Sequence, residues 1–324
     1  MRHWSRLPNR ELILFFLATT AVFSFLSSSF RTVGNFENIL VGFSHMGILA
    51  IGQAFPILLG GIDLSVGSII SLSGMIAFDC FVIYGMRGAV VLPLMLLAAT
   101  AAGLINGLLI VKARLQPFIA TLATMAAYRG ITYAISGRQI FPELATKSIT
   151  DHLLVGLDDF VGHFPYAFFI LVALAIVAQL LLGTTKIGRD FYTIGGNVEA
   201  ARLCGIRVGQ RTMIAYGISG FCAGLAALVL VSRMTTSTEN LGIGIELSAI
   251  AAAIIGGVSL QGGIGNIIGP VIGAFLMGGL LIGLNLVGVS TYAQPVLAGM
   301  ILLGAVYYDR LQVLRRARRA AATP

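Results

Sequence analysis

The chain is poor in everything that a water-soluble protein is rich in. Charged residues make up 10% of its 324 positions, acidic ones number 13, and the one tryptophan is Trp4. Soluble domains carry about 25% charged residues, so a soluble enzyme, a nucleic-acid binder and a secreted scaffold are all excluded. The three cysteines, Cys80, Cys204 and Cys222, show neither CxxC nor zinc spacing. The four histidines, His3, His45, His152 and His163, match no metal-ligand spacing. Lysine occurs at 112, 147 and 186 only, after Val, Thr and Thr, so no GxxxxGK[ST] loop exists to cradle nucleotide phosphates. No nucleophile and base stand together, which argues against an enzyme.

What is present is apolar: 57% of residues are hydrophobic, 40 are glycine, and the mean hydropathy is +0.93. So much apolar surface cannot be hidden in one core, and the bilayer must be the solvent. Spans of about 20 residues each would place roughly ten in this length. Hydrophobic runs bounded by charge, Gly or Pro set them at 11–30, 38–59, 64–84, 89–111, 117–137, 165–183, 212–232, 246–261, 266–288 and 293–308. The first is basic and then apolar, like a signal peptide, but no small-residue cleavage site follows, so it reads as a retained span. The expected fold is all-α: a polytopic membrane helix bundle with about 10 transmembrane helices, forming a single domain over 1–324.

Charge gives this bundle a direction. Arg2, Arg6, Arg10, Lys112, Arg114, Lys186, Arg189, Arg202, Arg207, Arg211, Arg310, Arg315, Arg316, Arg318 and Arg319 fall on one side. Arg31, Arg87, Arg138, Lys147 and Arg233 fall on the other, with Arg129 inside a span. Lys and Arg accumulate on the cytoplasmic side, so both termini are expected to be cytoplasmic. The terminal arginines also suit anionic lipid headgroups. The largest external loop is then 138–164 and the largest internal one 184–211.

Most glycines fit close helix packing, as in the small clusters Ala99, Ala101, Ala102, Gly103 and Gly217, Gly220, Ala223, Gly224. Glycine pairs in short polar breaks do not, because a helix should stop there. One such break holds Gly60, Gly61, Asp63, Ser65, Gly67 and Ser68; the other holds Gly256, Gly257, Ser259, Gln261, Gly262 and Gly263. At an offset of 196 the two runs match at both leading glycines, the leucine and the last glycine. Interrupted helices in matching places point to a transport path. Four ionisable residues lie isolated in apolar stretches: Asp63, Asp79, Arg129 and Glu246. Asp63 is the best functional candidate, holding a broken helix through backbone N–H groups. Asp79 and Glu246 read as interfacial, Arg129 as snorkelling, and His45 as a packed histidine.

In the internal loop, Asn197 suits an N-cap, Glu199 the first turn, and Ala200, Ala201 and Arg202 the helix interior. Gly205 suits C′. A two-turn surface helix between glycine turns, ordered by docking on a partner, is expected.

The run G-R-x-x-x-x-I-G-G-N-x-E-A-A-R-L-x-G-I (188–206) resembles the permease subunits of monosaccharide-importing bacterial ABC transporters, the ribose, xylose and galactose group. So do G-G-I-D-L-S-V-G (60–67), Q-P-F-I-A-T-L-A-T-M (116–125) and I-G-G-V-S-L-Q-G-G-I-G (255–265). Cys204 stands where the family usually has serine. The resemblance implies a multi-pass inner-membrane translocation subunit that imports a simple sugar by alternating access. It implies no cofactor of its own, since ATP would be bound by a separate cytoplasmic ATPase subunit. The other implied partners are a periplasmic sugar-binding protein and a second permease copy. Residues 196–206 would form the coupling helix, with Gly195, Gly196, Asn197, Glu199, Ala200, Ala201, Arg202, Leu203 and Gly205 as the ATPase contact. Residues 60–68 and 256–265 would flank the path. The alternatives are a permease for branched-chain amino acids, and an ion-coupled secondary transporter working alone.

Overall fold

The structure is a computed structural model that describes residues 10–136, 148–290 and 292–321. Arg2, Arg6, Arg138 and Lys147, used above for the charge bias, lie outside the described residues, as does 138–147 of the expected external loop. Every hydrophobic run coincides with a helix. In order these are α1 (Arg10–Leu26), α2 (Val33–Leu58), α3 (Val66–Phe78, continued as a π-turn over Asp79–Ile83), α4 (Gly88–Lys112) and α5 (Pro117–Ser136). The short α6 (His152–Val155) and a hairpin of β1 (Phe160–Val161) with β2 (Phe164–Pro165) precede α7 (Tyr166–Thr184). Then come α8 (Lys186–Gly196), α9 (Val198–Leu203), α10 (Val208–Met234), α11 (Ile245–Ile255), α12 (Ile268–Leu286) and α13 (Gln294–Ala321).

Six helices are long and apolar enough to cross a membrane among the described residues: α2, α3 with its π-turn, α4, α7, α10 and α12. The run read as a span at 246–261 is helical only as α11, whose 11 residues reach about 16 Å, roughly half a hydrocarbon core. Helices α2 and α10 form the centre, being 89% and 72% buried along their most apolar windows. Helix α7 is only 22% buried, and its Val177 and Leu180 are exposed. An apolar surface facing outward around an apolar centre is what a lipid-solvated bundle requires.

The two small-residue clusters pack on each other and set the most extensive helix pair, α4 on α10. A Cβ on Gly220 would lie 2.9 Å from the Gly103 Cα, and one on Gly224 would lie 2.7 Å from the Ala99 Cβ. Cys222, the buried cysteine, fills the space over Gly52 of α2 in the same way. In lipid, burying Leu against Leu gains little, so backbone approach through small residues supplies the attraction.

Candidate coupling and translocation site

Both predicted breaks are real helix ends, and both use one device. At the end of α2, the Gly60 N–H donates to the Ile57 carbonyl (2.8 Å) and the Gly61 N–H to the Pro56 carbonyl (2.9 Å). At the end of α11, the Gly257 N–H donates to Ile254 (2.8 Å) and the Val258 N–H to Ala253 (3.1 Å). This is the Schellman closure, with a left-handed glycine at C′: Gly60 at φ +79° and Gly257 at φ +92°. The equivalent residues are therefore Gly60 and Gly257. The structural register differs by one from the offset of 196, and Gly256 remains right-handed at φ −64°.

Beyond Gly60 the chain climbs back along α2 before α3 begins, and its polar groups are met one by one. Gln53 brackets the Asp63 backbone, donating to its carbonyl (2.5 Å) and accepting from its N–H (3.4 Å). Asp63 is fully buried. Its Oδ1 accepts from the Ser65 N–H (3.0 Å), the Ser65 hydroxyl (2.6 Å) and Asn106 of α4 (3.4 Å). Its Oδ2 accepts from Ser219 of α10 (2.8 Å). Asn106 also donates to the Ser65 hydroxyl (2.7 Å), and Ser68 to the Ser65 carbonyl (2.7 Å). Thus Asp63 joins the start of α3 to α4 and α10, and of its four donors one is the backbone N–H expected from the sequence and three are side chains.

The second break borrows its carboxylate. Asp309 of α13 accepts from the Ser259 hydroxyl and the Leu260 N–H, both at 3.2 Å. Tyr192 of α8 donates to the Gly265 carbonyl (2.9 Å), and Gln179 of α7 accepts from the Ile267 N–H (3.1 Å). Burial pushes the Tyr192 phenol up, so it stays a donor at any physiological pH. The two breaks touch directly, the Gly263 N–H donating to the Leu58 carbonyl at 2.8 Å. Hence α2 and α11 end side by side at one face of the bundle.

The internal loop docks on that junction. Gly195 lies so close that a Cβ there would collide with the Leu58 carbonyl and the Gly263 N–H, and Gly196 touches Gly263. The glycine turn expected before the coupling helix is instead the last turn of α8, whose Phe191 and Ile194 are buried. Phe191 meets Phe55 edge-to-face at 5.8 Å, and Asp190 pairs with Arg211 at the start of α10 at 2.7 Å. Signals for this helix were present in Thr185, which caps it by accepting from the Gly188 N–H (3.1 Å), and in apolar residues on one face.

Helix α9 follows the sequence closely. Asn197 caps it by accepting from the Ala200 N–H (2.9 Å), and Gly205 closes it at φ +77°. Ala201 is buried against the bundle, whereas Leu203 is 90% exposed beside the Glu199–Arg202 pair at 2.6 Å. The residues expected to couple and both breaks thus form one continuous unit, from exposed α9 to buried Asp63.

Two residues depart from their sequence reading. Arg129 does not snorkel: its Nη1 donates to the Ser71 hydroxyl (3.1 Å) and to the Glu239 (2.7 Å) and Leu241 (3.2 Å) carbonyls. Glu246 packs against Gly67 at the start of α3, a contact that its reading as an interfacial residue does not include. No local pattern foretold this meeting, because it depends on the unwound chain between α10 and α11.

The family described as branched-chain amino acid transport system / permease component matches residues 35–306. The ribose import permease protein RbsC of Haemophilus influenzae is 38% identical over 294 residues, covering 89% of each chain. The D-allose transport system permease protein AlsC of Escherichia coli is 38% identical, covering 90% of this chain and 88% of its own. The L-arabinose transport system permease protein AraH of Escherichia coli is 36% identical, covering 87% and 84%. No solved structure matches the chain.

Proposed function

We propose, since this chain belongs to the branched-chain amino acid transport system permease component family, that it is the membrane-spanning permease subunit of an ATP-driven importer for a simple sugar. It is a multi-pass inner-membrane translocation subunit rather than an enzyme, with ATP hydrolysed by a separate ATPase subunit. Relatives named for ribose, allose and arabinose favour a sugar over a branched-chain amino acid.

The observation that carries the mechanism is the docking of Gly195 and Gly196 on the backbone of both helix breaks. A cytoplasmic ATPase gripping α9 would move a rigid unit, because α8 is fixed to α10 by the Asp190–Arg211 pair. Glycine contacts without side chains transmit such a push to α2 and α11 without slack. The Asp63 network would carry it on into α3, α4 and α10. The full assembly has a periplasmic sugar-binding protein outside, the ATPase inside, and a second permease copy alongside. The chain crosses ten times as one domain with both termini cytoplasmic; a half-length α11 completed by irregular chain supports that count. It needs no cofactor of its own. A solitary ion-coupled transporter fits less well, since every Asp63 oxygen is already occupied by hydrogen-bond donors.

The test is reconstitution in lipid with ATPase and binding-protein subunits. Binding protein loaded with sugar should stimulate ATP hydrolysis and drive uptake. Uptake by this chain alone on a proton or sodium gradient would overturn the reading.

A further inference from the structure

The stretch between α10 and α11 behaves unlike the other connections. Helix α10 starts beside the coupling loop and runs 27 residues, about 40 Å, to end at the opposite face. The chain from 235 to 244 does not stay at that face. It descends along α3, with Ser237 against Gly74 and Gly242 against Gly67. Seven residues of α3 separate those glycines, about 10 Å of helix. Added to the 16 Å of α11, this makes close to one crossing. The crossing is therefore half helix and half unwound chain, with Thr235, Gly242 and Gly244 left-handed at φ +52°, +83° and +79°. Helices α3 and α11 both begin where the two halves meet. Irregular backbone at membrane depth occurs where it is buried in protein or lines a solute path.

The stretch is held down by exchangeable contacts. Arg129 donates to two of its carbonyls, and Tyr133, one turn further along α5, donates to Asn240 (3.2 Å). Beneath it the polar fit is incomplete. Among the described residues three buried side-chain polar atoms lack a partner, and two of them face this seam: the Ser237 hydroxyl and the Glu246 Oε2. A buried polar group left unmet costs roughly 1–3 kcal/mol, so the closed seam is destabilised relative to one that admits hydroxyl groups.

We infer that residues 235–244 are a gate across the translocation path at the face opposite the coupling loop. Arg129 is the positioning residue that latches it shut. Opening it offers Ser71, Ser237 and Glu246 to a neutral polyhydroxylated solute. Hydroxyl groups of such a solute supply donors for the free carboxylate oxygen and acceptors for the guanidinium released from its carbonyls. This rests on the importer reading for what passes, but not for whether the gate moves.

The experiment uses the assembled transporter in sealed vesicles, with Cys80→Ser, Cys222→Ala and Ser237→Cys. A membrane-impermeant maleimide is added outside, and labelled peptides are read by mass spectrometry. Cys204, retained on the coupling loop, should stay unlabelled. Labelling at 237 should be slow with Arg129 in place, tenfold or more faster with Arg129→Gln, and intermediate with Arg129→Lys. An assembled Arg129→Gln transporter that labels no faster overturns the proposal. Should that variant not assemble, the Arg129 parent decides: labelling at 237 must differ between nucleotide-free and vanadate-trapped states, and equal rates overturn the gate. If the transporter with its natural Cys80, Cys222 and Ser237 imports no sugar while labelling of the Ser237→Cys protein still follows Arg129, the gate stands and the substrate reading falls.

Discussion

Replacing Asp63 separates a structural clasp from a proton carrier. In Asp63→Asn the amide oxygen can take the Oδ1 position and keep the bonds from the Ser65 N–H, the Ser65 hydroxyl and Asn106. The new NH2 then faces Ser219, whose hydroxyl can turn from donor to acceptor. What is lost is mainly the charge assistance, about 1–2 kcal/mol. In Asp63→Ala all four bonds vanish and the Ser65 N–H, with no freedom to turn, is left buried. At roughly 1–3 kcal/mol per orphaned group, the loss should come to about 3–5 kcal/mol. Interhelical hydrogen bonds in membranes average nearer 0.6 kcal/mol, which favours the lower end. Thermal unfolding of the detergent-purified chain should rank wild type, Asn and Ala in that order, and sugar uptake in vesicles should follow the same ranking. A stable Asp63→Asn protein with abolished transport would refute the clasp, because it would show that the proton or charge itself is used.

Arg211→Gln strands the Asp190 carboxylate in a buried site and should cost about 3–5 kcal/mol, while Asp190→Leu with Arg211→Met should recover most of it; thermal unfolding checks both. Glu199→Lys with Arg202→Glu, or Leu203→Asp, alters only exposed α9 side chains, where a surface pair is worth under about 1 kcal/mol. Folding should be unchanged while ATPase co-purification and sugar-stimulated ATP hydrolysis fall at least tenfold; unaltered co-purification would mean that α9 is only a connector. Gly220→Val should destabilise by about 1–3 kcal/mol or more, since the new side chain meets the α4 backbone. Gly299→Ala in α13, where nothing lies within 4 Å of a new Cβ, should be neutral or stabilising by up to about 1 kcal/mol.

The elements most legible in the sequence were those specified by neighbours along the chain. Hydropathy marked all the long helices, because lipid rewards an unbroken apolar run whatever its tertiary partners. Asn197 and Gly205 fixed α9 through capping, which acts within one turn. Glycine pairs marked both helix ends, although identity matching placed them one residue out of register. The Schellman closure is selected by φ, and in the second break it is Gly257, not Gly256, that takes the left-handed conformation. Helix α8 escaped because its two terminal glycines read as a turn, yet Gly195 is glycine for a tertiary reason, its approach to Leu58 and Gly263. The contacts of Arg129 and Glu246 are hidden for a similar reason: the carbonyls that accept from Arg129 lie over a hundred residues away, and Glu246 packs against Gly67 of a distant helix.

The two ends of the proposed path are built from different contacts, and the difference suits their tasks. At the coupling end, backbone meets backbone through Gly60, Gly195, Gly262 and Gly263, so there are no rotamers to absorb a displacement. A small movement of α9 must therefore shift α2 and α11 together. At the far end, the unwound chain is held by the long side chains of Arg129 and Tyr133, whose hydrogen bonds can be exchanged for water or solute hydroxyls at little net cost. A stiff contact where force enters and an exchangeable one where solute enters let one motion at α9 open the other face without unfolding the bundle between them.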